Sequence, residues 1–196
     1  MTTSTALPRR RQGPRPDPAI DEAVLAATRR LLVEHGYSAT SIDLIARTAK
    51  VSRPAIYRRW RSKAALVHTA AFPHLNSGDR QDDLAGEITR LCRGALAMYS
   101  DPVVREAVPG LLDDLRTNPP MRRLINERLE AAARRQVSEQ LADAVSQGIA
   151  RRSAQADTIM DVIAGAAWYA VCVRRVKDIS AAADDLADLI LHGALT

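Results

Sequence analysis

The fold of this chain is decided by residues 41–60, which read SIDLIARTAKVSRPAIYRRW. In the first half of this stretch, apolar residues recur at helical spacing: Ile42, Ile45, Ala46 and Ala49. Ser52 followed by Pro54 predicts the start of a second helix, and a tight turn at Lys50 joins the two. Two short helices, the second rich in basic and aromatic side chains, are typical of a helix-turn-helix. We expect the second helix, over residues 53–60, to lie in the major groove of DNA.

A bracing helix is predicted before this motif and a linking helix after it. The bracing helix begins at the N-cap Asp17 and ends at Gly36, and the linking helix runs over residues 63–72. Between the bracing helix and the motif, Thr40 and Asp43 form a capping-box pattern. This pattern places the N-cap of the motif's first helix at Thr40. Residues 17–73 are therefore predicted to be one domain, which we call the reader.

The spacing within the reader resembles the DNA-binding domain of the TetR family of bacterial repressors. The matching positions are Thr40, Ser41, Ile45, Ala46, Ala49, Val51, Ser52, Tyr57, Trp60, Lys63 and Leu66. Two positions depart from the usual pattern: Lys50 stands where glycine is common in the turn, and Trp60 stands where Phe or Tyr is common. A left-handed residue other than glycine costs about 1 kcal/mol, which we expect the packed motif to absorb.

The resemblance implies DNA contacts that the chemistry of the side chains supports. We expect the Tyr57 hydroxyl and the Lys63 ammonium to bind phosphate, the ammonium together with free N–H groups at a helix N-terminus. Arg53 and Arg59 are predicted to read guanine through bidentate hydrogen bonds, and Ala55 to touch a thymine methyl group. The complete predicted DNA-binding set, in which Arg58 is a solvated or phosphate-contacting side chain, is Thr40, Ser41, Arg53, Pro54, Ala55, Tyr57, Arg58, Arg59 and Lys63.

The net charge of +5 is distributed unevenly along the 196 residues. Residues 1–68 hold 13 Lys and Arg against 5 Asp and Glu, whereas residues 69–196 hold 15 against 18. A basic head on a mildly acidic body indicates that the head contacts an anionic polymer. Residues 1–16 are predicted to be a disordered basic arm, either a solubilising tail or a segment that follows phosphates or a minor groove.

The whole chain is predicted to be all-α, with about nine helices, because hydrophobic residues make up 46% and aromatic residues only 4%. Residues 79–196 should form a helical regulatory and dimerisation domain, which we call the body. Its helices are expected over residues 82–100, 102–117 with an interruption or kink at Pro109-Gly110, 119–147 and 157–177, and from the cap Ser180 onward. The segment 157–177 is apolar nearly all round, so it needs partners on more than one side.

The resemblance also implies how the body works. In TetR-like proteins the last two helices pair with their symmetry mates, and the predicted interface residues are Ile159, Ile163, Ala166, Val173, Leu186, Leu189 and Ile190. The candidate ligand-pocket residues are Met98, Tyr99, Met121, Trp168, Tyr169 and Cys172, for each of which ordinary core packing is the alternative. Because buried charge is scarce in these helices, we expect an uncharged or apolar effector.

Other classes of function have little support in the residues. The sequence has no H-E-x-x-H, no glycine-rich phosphate loop and no G-x-S-x-G, and its four histidines are scattered. Cys92 and Cys172 are expected to be free buried thiols in a reducing compartment. Residues 1–19 lack an apolar signal core, and the longest apolar run, 162–173, is about half of a membrane span. We therefore expect a cytoplasmic protein without cofactor, metal or membrane partner.

These features predict a sequence-specific DNA-binding transcriptional regulator. By resemblance it is a homodimeric repressor, released from a palindromic operator when a small molecule shifts the linking helix. A ligand that prefers the released state a hundredfold supplies about 2.7 kcal/mol of coupling. The alternatives are a ligand-independent or architectural helix-turn-helix protein and an enzyme with an appended reader.

Overall fold

The computed structural model describes residues 17–73, 81–119, 122–123 and 131–193, and these segments form nine α-helices. In chain order they are α1 (Pro18–Ala39), α2 (Ile42–Ala49), α3 (Arg53–Tyr57), α4 (Lys63–Ala71), α5 (Leu84–Ser100), α6 (Pro102–Thr117), α7 (Ala131–Ser146), α8 (Ala156–Trp168) and α9 (Ile179–His192). A π-helical turn, Tyr169–Val173, follows α8. No strand occurs in the described segments, so the predicted all-α fold is confirmed. The predicted arm 1–16 and the candidate pocket residue Met121 lie outside them.

Side-chain caps fix the beginnings of several of the described helices, including α1, α3, α4 and α9. Asp17, Ser52 and Ser62 each accept a backbone N–H from the first turn of α1, α3 and α4, at 3.0, 3.4 and 3.1 Å. These starts agree with the predicted caps. The predicted cap of the last helix is wrong, because Asp178 rather than Ser180 accepts the first-turn N–H, at 2.9 Å. A carboxylate there also interacts favourably with the positive end of the helix dipole.

The capping residue of α2 also differs from the prediction. Ser41 accepts the Leu44 N–H at 3.2 Å and is the N-cap. Thr40 is fully buried, and its hydroxyl donates to the Gly36 carbonyl at 2.7 Å. Thr40 therefore closes α1 instead of opening α2. The capping-box prediction was wrong because the Thr40 hydroxyl satisfies the Gly36 carbonyl of the preceding helix. Sequence spacing does not reveal that acceptor.

Two residues with positive φ set the course of the chain through the reader. Gly36 has φ 72° and interrupts the regular geometry of α1. Lys50 has φ 56° and ψ 38°, and its N–H donates to the carbonyls of Ala46 and Arg47, which ends α2. The left-handed turn expected at Lys50 is thus present without glycine. It directs α3 across α2, as a helix-turn-helix requires.

Three apolar clusters organise the packing. The reader core joins α1, α2, α3 and α4 through Val24, Ala27, Leu31, Ile42, Ile45, Ala46, Ile56, Trp60 and Leu66. A junction core joins Leu32 of α1 and three residues of α4 to the Val103–Leu111 face of α6. A bundle core joins α5, α8, the π-helical turn and α9. The junction core places α6 of the body directly against α1 and α4 of the reader.

The body departs from its predicted helices in two places. α6 runs without interruption through Pro109, so the predicted interruption is absent, and the kink that was its alternative stays a prediction. The segment 157–177 is shorter than expected as an α-helix, because it ends at Trp168 and continues as the π-helical turn. π-Helical turns inside or after α-helices often mark functional positions. This one places Tyr169 and Val173 on the surface.

Candidate functional site

A basic groove lies between α2 and α3 of the reader. It is open, has a volume of about 520 Å³ and is lined by Asp43, Ala46, Arg47, Lys50, Val51 and Arg53. Arg47 and Lys50 are exposed, and sequence reasoning did not assign either of them to DNA. Part of the signal was available, because Asp43 and Arg47 are four residues apart and share one face of α2, whereas Lys50 lies in the turn that follows. The two exposed cations, Arg47 and Lys50, give this groove the positive charge that phosphate binding requires.

Arg53 lines this groove with an exposed side chain. Its side chain is 63% exposed, and its Nη1 donates to Asp43 Oδ1 at 3.0 Å. An ion pair this exposed contributes only about 0–1 kcal/mol, so DNA can displace it. The pair holds the guanidinium beside the groove until a stronger acceptor arrives. The placement is compatible with base reading by Arg53.

Arg59 has a different environment from the one predicted. Its Nε is paired with Asp21 of α1, and its Nη1 donates to the Ala55 carbonyl at 3.1 Å. The side chain is 15% exposed, so the guanidinium lies between α1 and α3. The predicted outward orientation of Arg59 is wrong, because two edges of its guanidinium are occupied within the protein, where they brace the recognition helix. Its predicted role as a base reader stays a prediction.

The other predicted contact residues divide into exposed and buried groups. Ser41, Pro54, Tyr57 and Arg58 are exposed, as DNA contact requires. Ala55 is buried, although we expected its methyl group to face outward. Thr40 is likewise buried, so its side chain does not reach the protein surface.

Lys63 stands at the first position of α4 but is not a free surface cation. Its Nζ donates to the Tyr37 carbonyl at 2.6 Å and lies 4.0 Å from the centroid of the Tyr37 ring. Burial lowers the pKa of Lys63, and the carboxylate of Asp114 opposes that shift. The side chain is half-buried, so any phosphate contact must be made by N–H groups that Tyr37 leaves unused.

The candidate pocket residues lie in different parts of the body. Met98, Tyr99 and Trp168 pack against the junction core. The indole Nε1 of Trp168 is buried and has no hydrogen-bond acceptor within residues 17–73, 81–119, 122–123 and 131–193. Tyr169 is more than half exposed and so lies apart from any enclosed cavity. Of the candidate pocket residues, only Met98, Tyr99 and Trp168 therefore pack against the junction core.

The candidate interface residues also fall into two groups. Ile163 and Leu186 are buried within the bundle core of the same chain. Val173 and Leu189 are exposed by 48% and 49%. The remaining three, Ile159, Ala166 and Ile190, are partly buried against the bundle core. Of the seven predicted interface residues, only Val173 and Leu189 are therefore exposed.

Both cysteines are free thiols, and burial raises the pKa of Cys92 to about 11. Burial also raises the pKa of Cys172, while the nearby Arg105 lowers it. Thiols with raised pKa values are poor nucleophiles and poor metal ligands at neutral pH. Among the described residues, no group of three or more His, Cys, Asp or Glu side chains is arranged to hold a metal ion.

Sequence reasoning missed a buried ion pair on α5. Glu87 is fully buried and accepts Nε of Arg90 at 3.0 Å and the Gln81 N–H at 3.2 Å. The hydrogen bond to Glu87 raises the pKa of Arg90. The charge is compensated within one helix, as a buried carboxylate requires. A Glu three residues before an Arg was the available sequence signal.

Two family models match the chain over most of its length. Residues 24–70 match the model described as bacterial regulatory proteins, tetR family. Residues 79–190 match the model described as Tetracyclin repressor-like, C-terminal domain. The second match alone spans more than half of the chain. The chain belongs to the TetR family. It is therefore a DNA-binding transcriptional regulator, and the reader described above is its DNA-binding domain.

Relatives and solved structures place the chain among other TetR-family regulators. It is 28% identical over 168 residues to an uncharacterized HTH-type transcriptional regulator of Mycobacterium tuberculosis, covering 82% of this chain and 80% of that one. It is 33% identical over 84 residues to the DNA-binding transcriptional repressor TetR of Mycobacteroides abscessus, covering 39% and 44%. The fold matches FadR from Bacillus subtilis, solved in complex with stearoyl-CoA, with a TM-score of 0.66, 14% identity and coverage of 89% and 99%.

A TetR-family regulator from Rhodococcus has the same fold, with a TM-score of 0.64, 17% identity and coverage of 88% and 98%. At these identities the likeness concerns the fold and not the ligand. The TetR-family assignment confirms the resemblance read from residues 40–66.

Proposed function

We propose that the protein is a homodimeric repressor that binds a palindromic operator and is released by a small uncharged or apolar ligand. The observation that carries the proposal is an exposed apolar stripe on the last two helices. We define this stripe as Val162, Tyr169 and Val173 on α8 and its π-helical turn, with Leu189 on α9. The four side chains are 42%, 52%, 48% and 49% exposed.

Helical spacing puts the first three residues of the stripe on one face, because they are separated by seven and four residues. Gly165 and Ala166 lie on the same face, and an added Cβ at Gly165 would meet nothing within 4 Å. Small residues on an apolar face allow another helix to approach closely. A two-fold axis beside this face would bury it against its own copy, which is the usual arrangement of a soluble homodimer.

The same helix has one competing interpretation. Ala156–Val173 is 18 residues long, with a mean hydropathy of 1.4 and 17% of the window buried. By length and composition this segment would suffice to cross a membrane. It is longer than the apolar run 162–173 identified in the sequence. A single such helix is weak evidence, and its inner face already packs against α5 and α9. A second copy of the chain accounts for the outer face and also pairs two readers.

Pairing two readers gives the operator its symmetry. A helix-turn-helix dimer binds half-sites one DNA turn or a multiple of it apart, so a two-fold protein requires a palindromic site. In this arrangement Arg53 reads bases, and Tyr57, Arg47 and Lys50 bind phosphates. Lys63 contributes a phosphate contact through N–H groups that Tyr37 does not use.

The unpartnered indole of Trp168 supports a ligand in the body. A buried N–H without an acceptor costs about 1–3 kcal/mol, and a ligand oxygen would recover that free energy. Met98 and Tyr99, which pack against the same junction core as Trp168, are apolar or aromatic, and this favours an uncharged or apolar ligand with one hydrogen-bond acceptor. FadR from Bacillus subtilis has a related fold and was solved with stearoyl-CoA, a molecule with a long apolar chain.

Sedimentation of a charged stripe variant tests the homodimer. Val173→Asp places two like charges near the two-fold axis, so we expect the dimer to dissociate at micromolar concentration. Val33→Asp is the matched control, because Val33 is 51% exposed on α1 and lies outside the stripe. A monomeric wild-type protein, or dimers of equal strength in both variants, would refute the proposed interface.

Release of operator DNA tests the ligand. We expect apolar compounds of graded chain length to dissociate the wild-type complex, and Trp168→Phe to weaken release while leaving operator affinity unchanged. The alternative, a ligand-independent regulator, predicts that no compound changes operator affinity. A compound that binds the body and leaves operator affinity unchanged would also support that alternative.

A further inference from the structure

The reader and the body meet at Tyr37. α1 breaks at Gly36, and the chain turns so that the Tyr37 carbonyl accepts a hydrogen bond from Lys63 Nζ at 2.6 Å. The same ammonium lies 4.0 Å from the centroid of the Tyr37 ring. A cation held by both a carbonyl and an aromatic face has two attachments to one residue. Tyr37 therefore fixes the position of Lys63.

Tyr37 is itself fixed by α6 of the body. Its hydroxyl donates to the carboxylate of Asp114. Its ring lies against the backbone at Gly110, where an added Cβ would be 2.0 Å from ring atom Cδ1. Gly110 and Asp114 are four residues apart and share one face of α6. Burial and the Asp114 hydrogen bond raise the pKa of Tyr37, so its hydroxyl remains a donor at neutral pH.

We propose that Tyr37 is a positioning residue for Lys63, and that Asp114 makes this positioning depend on α6. The proposal rests on the proposed function in one respect, namely that Lys63 contacts a DNA phosphate. An ammonium has three N–H donors, so one bond to Tyr37 leaves two for phosphate oxygens. Because the side chain is already ordered, binding a phosphate costs less conformational freedom.

This relay differs from a change in the tilt of α4. A tilt alters the distance between two readers, and so affects only DNA that carries both half-sites. The relay alters the affinity of each reader for its own half-site, because it moves Lys63 and leaves α2 and α3 in place. A duplex with a single half-site therefore isolates the relay.

The test compares two neighbouring carboxylates on α6. Asp114→Ala removes the partner of Tyr37, and Asp113→Ala is the matched control, since Asp113 is exposed and pairs with Arg116. Both remove one negative charge from nearly the same place. We expect Asp114→Ala to bind half-site duplex about threefold to tenfold more weakly than Asp113→Ala, the range for ordering one long side chain. The salt dependence of binding should flatten by up to about one unit.

Tyr37→Phe provides a second variant, which keeps the ring over Lys63 and removes one oxygen atom. We expect the same direction of change as for Asp114→Ala. In a Lys63→Ala background, neither substitution should weaken binding further, because the residue they position is gone.

Equal affinity and equal salt dependence for Asp114→Ala, Tyr37→Phe and Asp113→Ala would overturn the relay. An undiminished effect of Asp114→Ala in the Lys63→Ala background would also overturn it. These failures are distinct from failure of the proposed function. If the wild-type protein binds a two-fold operator and Asp114→Ala does not change its affinity for DNA, only the relay is refuted. If the wild-type protein binds no such operator, the repressor proposal is refuted.

Discussion

Arg59→Ala separates a bracing arginine from a base-reading one. The guanidinium of Arg59 is 15% exposed and joins Asp21 of α1 to the Ala55 carbonyl of α3. Its removal deletes one ion pair and one hydrogen bond to a backbone carbonyl. Each such bond in a buried setting is worth about 1–3 kcal/mol, but Asp21 is 39% exposed and regains water. We expect a loss of about 1–2 kcal/mol in the free energy of unfolding.

For a chain of this size, that loss lowers the melting temperature by about 2–8 °C. Because α3 then loses its tie to α1, operator and unrelated DNA should both bind more weakly by a similar factor. Arg53→Ala should behave in the opposite way, leaving the melting temperature nearly unchanged and costing about 1–3 kcal/mol at one base pair. Arg58→Ala controls for the loss of one exposed positive charge.

The assay combines thermal melting with binding to the operator and to its single-base variants. A bracing role for Arg59 is refuted if Arg59→Ala melts like the wild type and changes preference at a single base pair. It also fails if Arg58→Ala lowers the melting temperature as much as Arg59→Ala does. Either result would mean that the Asp21 contact does not stabilise the reader.

Three further substitutions test other parts of the structure. Burial lowers the pKa of His68 to about 4, whereas an unfolded chain protonates it near 6.5, so stability should fall as the pH drops from 6.5 toward 4. Between pH 7 and pH 5, the free energy of unfolding measured in urea should fall by about 2 kcal/mol more for the wild type than for His68→Leu. Equal losses in the two proteins would contradict the lowered pKa of His68. Gly110→Ala should destabilise by about 1–3 kcal/mol because its Cβ meets the Tyr37 ring, whereas Gly94→Ala, whose Cβ meets nothing within 4 Å, should be neutral or stabilising in the same melts. Tyr57→Phe should weaken binding to all DNA sequences about equally in titrations, and loss of preference at one base pair would exclude a phosphate contact.

Local signals in the sequence were sufficient for much of the reader. Caps such as Ser52 and Ser62 satisfy N–H groups within one turn, and the left-handed turn at Lys50 depends on its immediate neighbours. Their effects act over a few residues, so spacing alone predicts them. The apolar periodicity of residues 42–49 likewise predicted which face of α2 packs in the reader core.

The failures came from contacts between residues distant in sequence. Arg59 is held by Asp21, which is 38 residues away, and Lys63 by Tyr37, which is 26 residues away. No periodicity indicates such pairs, because each depends on how α1 packs against α3 and α4.

In the body, sequence identified the apolar helix but not which of its faces is already covered. Ile163 and Leu186 pack within the chain, whereas Val173 and Leu189 remain exposed. Both pairs are apolar, and only the packing of α5 against α8 and α9 distinguishes them. Tyr169 is exposed on the same face as Val162, so we assign it to the proposed interface and not to the predicted pocket.

The central claim is that two copies of the reader bind one two-fold DNA site. The most direct measurement is a hydroxyl-radical footprint on an operator selected from random DNA, together with the mass of the complex. A homodimer predicts two chains per duplex and protections related by a two-fold axis, with half-site centres about 34–36 Å or a multiple apart. One chain per duplex, or protections without two-fold symmetry, would contradict it.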